Sequence, residues 1–196
     1  MQQIEPLLPD NFYHIYNNGM TSRDLFYTSD NYEYFLDLYS QFIHPIAETY
    51  AWVLMKNHFH LLVKIKEVIE IEGIKTPTAR PSQQFSKLFN SYAQSINKRL
   101  GCHGALFERP FKRKLIEHEE YLKNVLLYIH NNPVFHGFCD YAMDYPWSSY
   151  LTCMSRKPTK LKRDTVMEWF GNEEQFKTMH SYKFDIDAIE EWLDVR

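Results

Sequence analysis

The chain is poor in cysteine, with Cys102, Cys139 and Cys153 its three in 196 residues, widely spaced and forming no CxxC pair. That argues against a disulfide framework and a cysteine-based zinc site, and it points to a reducing cytoplasm. No run approaches the roughly 20 apolar residues of a membrane span. The N-terminus, MQQIEPLLPDNF, lacks a basic segment followed by an apolar core, so it does not read as a signal peptide. Internal repeats and low-complexity tracts are absent. A positive excess is absent too, since the net charge of −3 argues against a uniformly basic nucleic-acid binder.

What is present is an ordinary globular composition, 44% hydrophobic and 24% charged, rich in aromatics with 14 Tyr, 14 Phe and 4 Trp. Such rings serve a packed core, and base stacking would use them as well. The charge is polarised along the chain. Lys98, Arg99, Arg109, Lys112, Arg113 and Lys114 stand against Glu108 alone within residues 98–114. Arg156, Lys157, Lys160, Lys162 and Arg163 follow, and beyond them the chain turns acidic. A basic middle with an acidic end lets one face meet a polyanion. Two solvated charge runs would give the same pattern.

Periodicity predicts the elements. FYHIY (12–16) reads as a strand ended by NNG. Residues from Ser29 or Asp30 to Ile43 have helical spacing, with Tyr32, Phe35, Leu36, Tyr39 and Phe42 on the apolar side. YAWVLM (50–55) and HFHLLVKI (58–65) form a hairpin about Lys56-Asn57. Residues 66–81 read as a mobile connector, 82–101 as an amphipathic helix ending at Gly101, and 111–116 as a strand. The helix 117–132 is expected to close at Pro133. One or two short helices are expected after it. Alternating strands and helices with hairpin pairs indicate an α+β fold on an antiparallel sheet.

Within HFHLLVKI, Phe59, Leu61, Val63 and Ile65 share the core face, so His58 and His60 share the opposite face, expected to be open. Two imidazoles can converge on one cation, but a bare His-x-His pair also suits a strand that merely carries two histidines. A third donor is needed. Tyr121, Val125, Tyr128 and Asn132 form one helix stripe, which stacks a phenol and a carboxamide one turn apart. The carboxamide with two imidazoles makes a mixed N/O site for Mg²⁺ or Mn²⁺, with Zn²⁺ an alternative, and the phenol could attack a phosphate. A core tyrosine and a helix-terminal Asn would look the same. Tyr92 is a rival phenol with no ligand-like residue one turn on. His130 lies on another helix face, and Tyr13, Tyr16 and Trp147 read as packing residues.

MKNHFHLLV, YLKNVLLYIHNNPV and YPWSSY together resemble the IS200-like HUH tyrosine transposases, especially the REP-associated tyrosine transposases. The resemblance runs from YHIYNNG to about Tyr150 and implies a ferredoxin-like (RRM-like) antiparallel sheet. It implies His58, His60 and Asn132 as metal ligands, although many relatives carry Gln at the last position. It also implies Tyr128 as a nucleophile that forms a 5′-phosphotyrosine on single-stranded or hairpin DNA. Arg109, Lys112, Arg113 and Lys114 would neutralise phosphates. The expected division is a catalytic domain over 1–150 and a basic-then-acidic extension over 151–196. The setting would be cytoplasmic and nucleoid-associated, with no membrane and a monomer or homodimer. A non-catalytic nucleic-acid-binding module, or a regulatory protein that kept the fold, remains open.

Overall fold

The computed structural model describes residues 5–67, 70–71, 74–75, 80–182 and 186–193. Its main sheet has four antiparallel strands. They are β1 (Phe12–Asn18), β2 (Ala47–Leu54), β3 (His58–Ile65) and β6 (Lys112–Ile116), in the order β2-β3-β1-β6. Helix α1 (Ser29–Phe42) joins β1 to β2, and α2 (Pro81–Leu100) joins the β2–β3 hairpin to β6. This is the ferredoxin-like order, with α1 and α2 packed together on one face.

The strand alternation decides which residues meet those helices. Tyr13 and Ile15 of β1, and Phe59, Leu61, Val63 and Ile65 of β3, are buried with Phe35, Phe85, Leu88 and Tyr92. Each such large apolar side chain contributes about 1.5–3 kcal/mol by burial. Helix α1 is capped by Thr28, not by Ser29 or Asp30, in a reciprocal capping box with Asn31. Helix α2 begins with a proline and ends at Gly101, whose φ of 63° suits the left-handed cap.

The opposite face is covered, which corrects the expectation that the histidine face is open. Helix α3 (Glu120–Phe135) lies across β2 and β3 with Leu122, Val125, Leu126 and Ile129 buried. Its sequence is apolar around much of its circumference, so it buries both a sheet-facing and an outer stripe. The outer side is packed by α4 (Tyr150–Met154), α6 (Glu173–Ser181) and α7 (Ile186–Leu193), while α5 (Arg163–Phe170) packs on α4 and α6. Where one or two short helices were expected, these four are found among the described residues.

Pro133 does not end α3. The helix runs on to Phe135 and closes when Gly137, at φ 69°, donates to Val134 O and Phe138 donates to Pro133 O. That pair of bonds is a Schellman closure, so glycine supplies the stop and Tyr128 and Asn132 stay on one continuous helix. The connector expected over 66–81 lies partly outside the described residues. Its described part holds a short ribbon, β4 (Glu70–Ile71) against β5 (Ile74–Lys75).

Candidate active site

Register builds the floor of the site. Tyr16 of β1 lies opposite His60 of β3, and His14 opposite Leu62, so His14, Tyr16, His58 and His60 share the α3 face. His14 Nε2 is 2.9 Å from His60 Nδ1, with the two rings near-parallel. His58 is held from the hairpin turn, its Nδ1 lying 2.8 Å from Asn57 Oδ1.

Helix α3 supplies the roof. Tyr128 stands edge-on to His60 at 5.4 Å between ring centroids and to His14 at 6.1 Å. One turn later Asn132 Oδ1 lies 2.9 Å from His58 Nε2. The Tyr128 phenol is influenced by the Asn132 carboxamide one turn on and by the Glu190 carboxylate of α7. The His58, His60, Tyr128 and Asn132 side chains expected from the sequence therefore meet, and all are buried.

Burial sets the protonation. It pulls the His58 imidazole down to about 4 and that of His14 to about 3, and holds His60 well below its ordinary value. All are neutral at pH 7, the form that ligates metal. Burial, reinforced by the Glu190 carboxylate, pushes the Tyr128 phenol well above 10, so the hydroxyl is protonated.

Neutral His58 has one N–H. It can serve Asn57 Oδ1 at 2.8 Å or Asn132 Oδ1 at 2.9 Å but not both, so one of the two contacts sets a lone pair against an oxygen. Adjacent ligands on an octahedral ion with bonds near 2.1 Å sit about 3.0 Å apart. The cation would be met by Asn132 Oδ1, while the buried Nδ2 on the other side of the amide has no partner and is open to an acceptor. The donor set therefore fits a divalent cation. Among the described residues no group of three or more His, Cys, Asp or Glu is arranged to hold one; the Asn132 carboxamide oxygen lies beside His58 as a further donor.

The basic residues are divided by β6, an edge strand. Lys112 lies opposite Tyr16 and Lys114 opposite His14, which puts both on the active-site face, whereas Arg113 pairs with Ile15 on the other. Arg109 precedes the strand and is exposed. In the second basic run, Lys162 is paired with Glu48, Lys160 donates to Ser40, and Arg163 donates to the Ser155 and Lys157 carbonyls. Tyr92 is in the core beneath α1, donating to Leu25 O at 2.8 Å, remote from the histidines. Trp147 packs on Tyr32.

Sequence reasoning missed His14, His136 and Glu190, and it read Tyr16 as packing alone. His136 sits 4.9 Å from His58 between ring centroids. The alternation of FYHIYNN does put His14 and Tyr16 on one face, but only the pairing of β1 with β3 shows that it is the face of His58 and His60. His130, not assigned a role from sequence, is fully buried behind the site, bonded to His180 at 2.9 Å and to Ser149 at 2.7 Å.

Fold and site together define a ferredoxin-like α+β protein whose His-x-His strand faces a helix tyrosine. No family model matches the chain. A Haemophilus influenzae protein named as a REP-associated tyrosine transposase is 31% identical over 130 residues, covering 63% of this chain and 71% of that one. On that likeness the chain belongs to the REP-associated tyrosine transposase family. A solved structure of a REP-associated tyrosine transposase bound to a REP hairpin matches the fold with a TM-score of 0.60. It is 15% identical and covers 81% of this chain and 88% of that one.

Proposed function

We propose that the chain is a metal-dependent single-stranded DNA endonuclease and strand transferase that acts on hairpin-forming DNA through Tyr128. The observation that carries the reading is the meeting of His58 and His60 on β3 with Tyr128 and Asn132 on α3. Family membership supports it, as does the hairpin carried by the solved relative of like fold. His58, His60 and Asn132 would hold Mg²⁺ or Mn²⁺, with Zn²⁺ the alternative. When bound, the ion polarises the scissile phosphate and eases removal of the phenol proton.

Tyr128 Oη attacks phosphorus, the P–O3′ bond breaks, and the 5′-phosphate remains on the tyrosine while a 3′-hydroxyl leaves. The adduct keeps the phosphodiester energy, so another 3′-hydroxyl can reverse the step and join strands. Lys112 and Lys114, on the same face, meet backbone phosphates approaching the site, with Arg109 and Arg113 beyond the edge. Tyr128 reaches histidines of its own chain, which supports its use in cis. Residues 1–150 supply every one of these side chains, and 151–196 form the extension that carries Glu190.

The test is a denaturing gel of labelled hairpin DNA incubated with the protein and Mn²⁺. A covalent adduct is expected in wild type and none in Tyr128→Phe or without metal. An adduct that persists in Tyr128→Phe overturns the assignment of the nucleophile.

A further inference from the structure

The Lys56-Asn57 turn between β2 and β3 delivers the chain to His58, and the segment after β1 grips it. Gly19 N–H donates to Asn57 O at 2.7 Å, and the Leu25 and Phe26 N–H groups donate to Lys56 O at 2.7 and 3.0 Å. Lys56 Nζ pairs with Asp24 at 3.0 Å, and Met55 N–H donates to His58 O at 2.7 Å. Glycine is needed at position 19, because a Cβ there would run into the Arg23 carbonyl. Both turn carbonyls thus have backbone donors, and the Asn57 backbone is fixed at the entrance to β3.

The Asn57 side chain is therefore not needed to close the turn. Its Oδ1 lies 2.8 Å from Nδ1 of the adjacent His58. A neutral imidazole carries one N–H, and the partners of the two nitrogens decide where it sits. With the proton on Nε2, His58 donates to Asn132 Oδ1, and Asn57 has to turn its amide to meet the Nδ1 lone pair. Asn132 Nδ2 then stays buried without a partner. With the proton on Nδ1, His58 donates to Asn57 Oδ1. Its Nε2 lone pair is then open to a cation beside the Asn132 oxygen or, with that amide turned, to Asn132 Nδ2–H. The second arrangement provides for one more buried group and is favoured for that reason. His60 is engaged through the same nitrogen, its Nδ1 lying 2.9 Å from His14 Nε2.

We propose that Asn57 is a positioning residue of the site, which takes the His58 Nδ1–H and so fixes the tautomer whose Nε2 lone pair faces Asn132. Histidines that ligate metal donate their other N–H to an oxygen in this way, which orients the ring and raises its basicity. Asn57 does so from a turn whose backbone is held independently of α3. The inference rests on reading His58 as a ligand in the proposed transferase.

The experiment uses the full chain, ¹⁵N-labelled and freed of metal with a chelator. Long-range ¹H–¹⁵N correlation reads the imidazole nitrogens, and His58 is assigned by its loss in His58→Gln. Wild-type His58 is expected to carry its proton on Nδ1. Asn57→Ala should move that proton to Nε2, leave the His60 pattern unchanged and weaken Mn²⁺ binding, read by calorimetry, roughly tenfold or more. Asn57→Asp keeps the oxygen and should restore both. Wild-type His58 protonated at Nε2 overturns the proposal without recourse to any variant. So does Asn57→Ala with the proton still on Nδ1 or with unchanged Mn²⁺ affinity. If either occurs while the Tyr128 adduct forms, the role of Asn57 alone is wrong. If the tautomers behave as expected and no adduct forms, the transferase reading falls and Asn57 keeps its hold on His58.

Discussion

His58 and Asn132 are 74 positions apart in the chain, yet the imidazole Nε2 lies 2.9 Å from the carboxamide Oδ1. The contact joins the hairpin strand to the tyrosine helix and places a nitrogen and an oxygen donor side by side. Asn132→Ala should therefore weaken Mn²⁺ binding, measured by calorimetry, by at least about tenfold while the sheet stays folded. His14 supports His60 through Nδ1, and partners of that kind typically contribute about 10–100-fold in metal affinity. His14→Phe should show a loss in that range. Unchanged affinity in both variants would place the ion elsewhere.

Glu190 brings a carboxylate to the Tyr128 hydroxyl from a helix packed on α3. A negative charge there disfavours both the phenolate and an incoming phosphate. Glu190→Gln keeps a hydrogen-bonding group and removes the charge. Adduct formation with hairpin DNA should become faster, by roughly tenfold for each unit that the phenol pKa falls if attack proceeds through the phenolate. Slower adduct formation would instead make Glu190 the proton acceptor.

Burial depresses His14 to about 3, and His58 and His180 to about 4. Between pH 6.5 and 4 the unfolded chain holds protons on these rings and the folded chain does not. Stability is thus unaffected above the unfolded value near 6.5 and falls as the pH drops through this window. The slope is up to about 1.4 kcal/mol per pH unit for each ring. Urea midpoints should fall steadily from pH 7 to pH 4.5, and His180→Gln should flatten the dependence. A midpoint constant over that range would contradict the buried, neutral histidines.

Lys112 and Lys114 flank the site, whereas Arg163 is tied to the Ser155 and Lys157 carbonyls. Replacing both lysines with Ala should lower the slope of log K against log salt for single-stranded DNA by about 1–1.5. Lys157→Ala, in the second basic run, should change it little. Equal effects would mean that the polyanion covers both basic runs.

Much of the geometry of the candidate site is readable from the sequence because it is local. Alternation in HFHLLVKI set His58 and His60 on one face, and one-turn spacing set Tyr128 over Asn132. Both follow from fixed backbone periods and need no tertiary information. Pro133 misled because a proline deletes one donor without forbidding two further residues. The stop came from Gly137, whose left-handed φ admits the closing bonds.

The sequence by itself determined the alternating α+β elements, which face of β3 enters the α1–α2 core, and the stripe that pairs a phenol with a carboxamide. These depend on periods of two and about 3.6 residues. Only the tertiary structure decided that α3 covers the histidine face, that His14 braces His60, that Glu190 meets Tyr128, and that β6 parts its basic residues between two sides. Each depends on register or on packing between distant segments, and many chain paths satisfy the same local pattern.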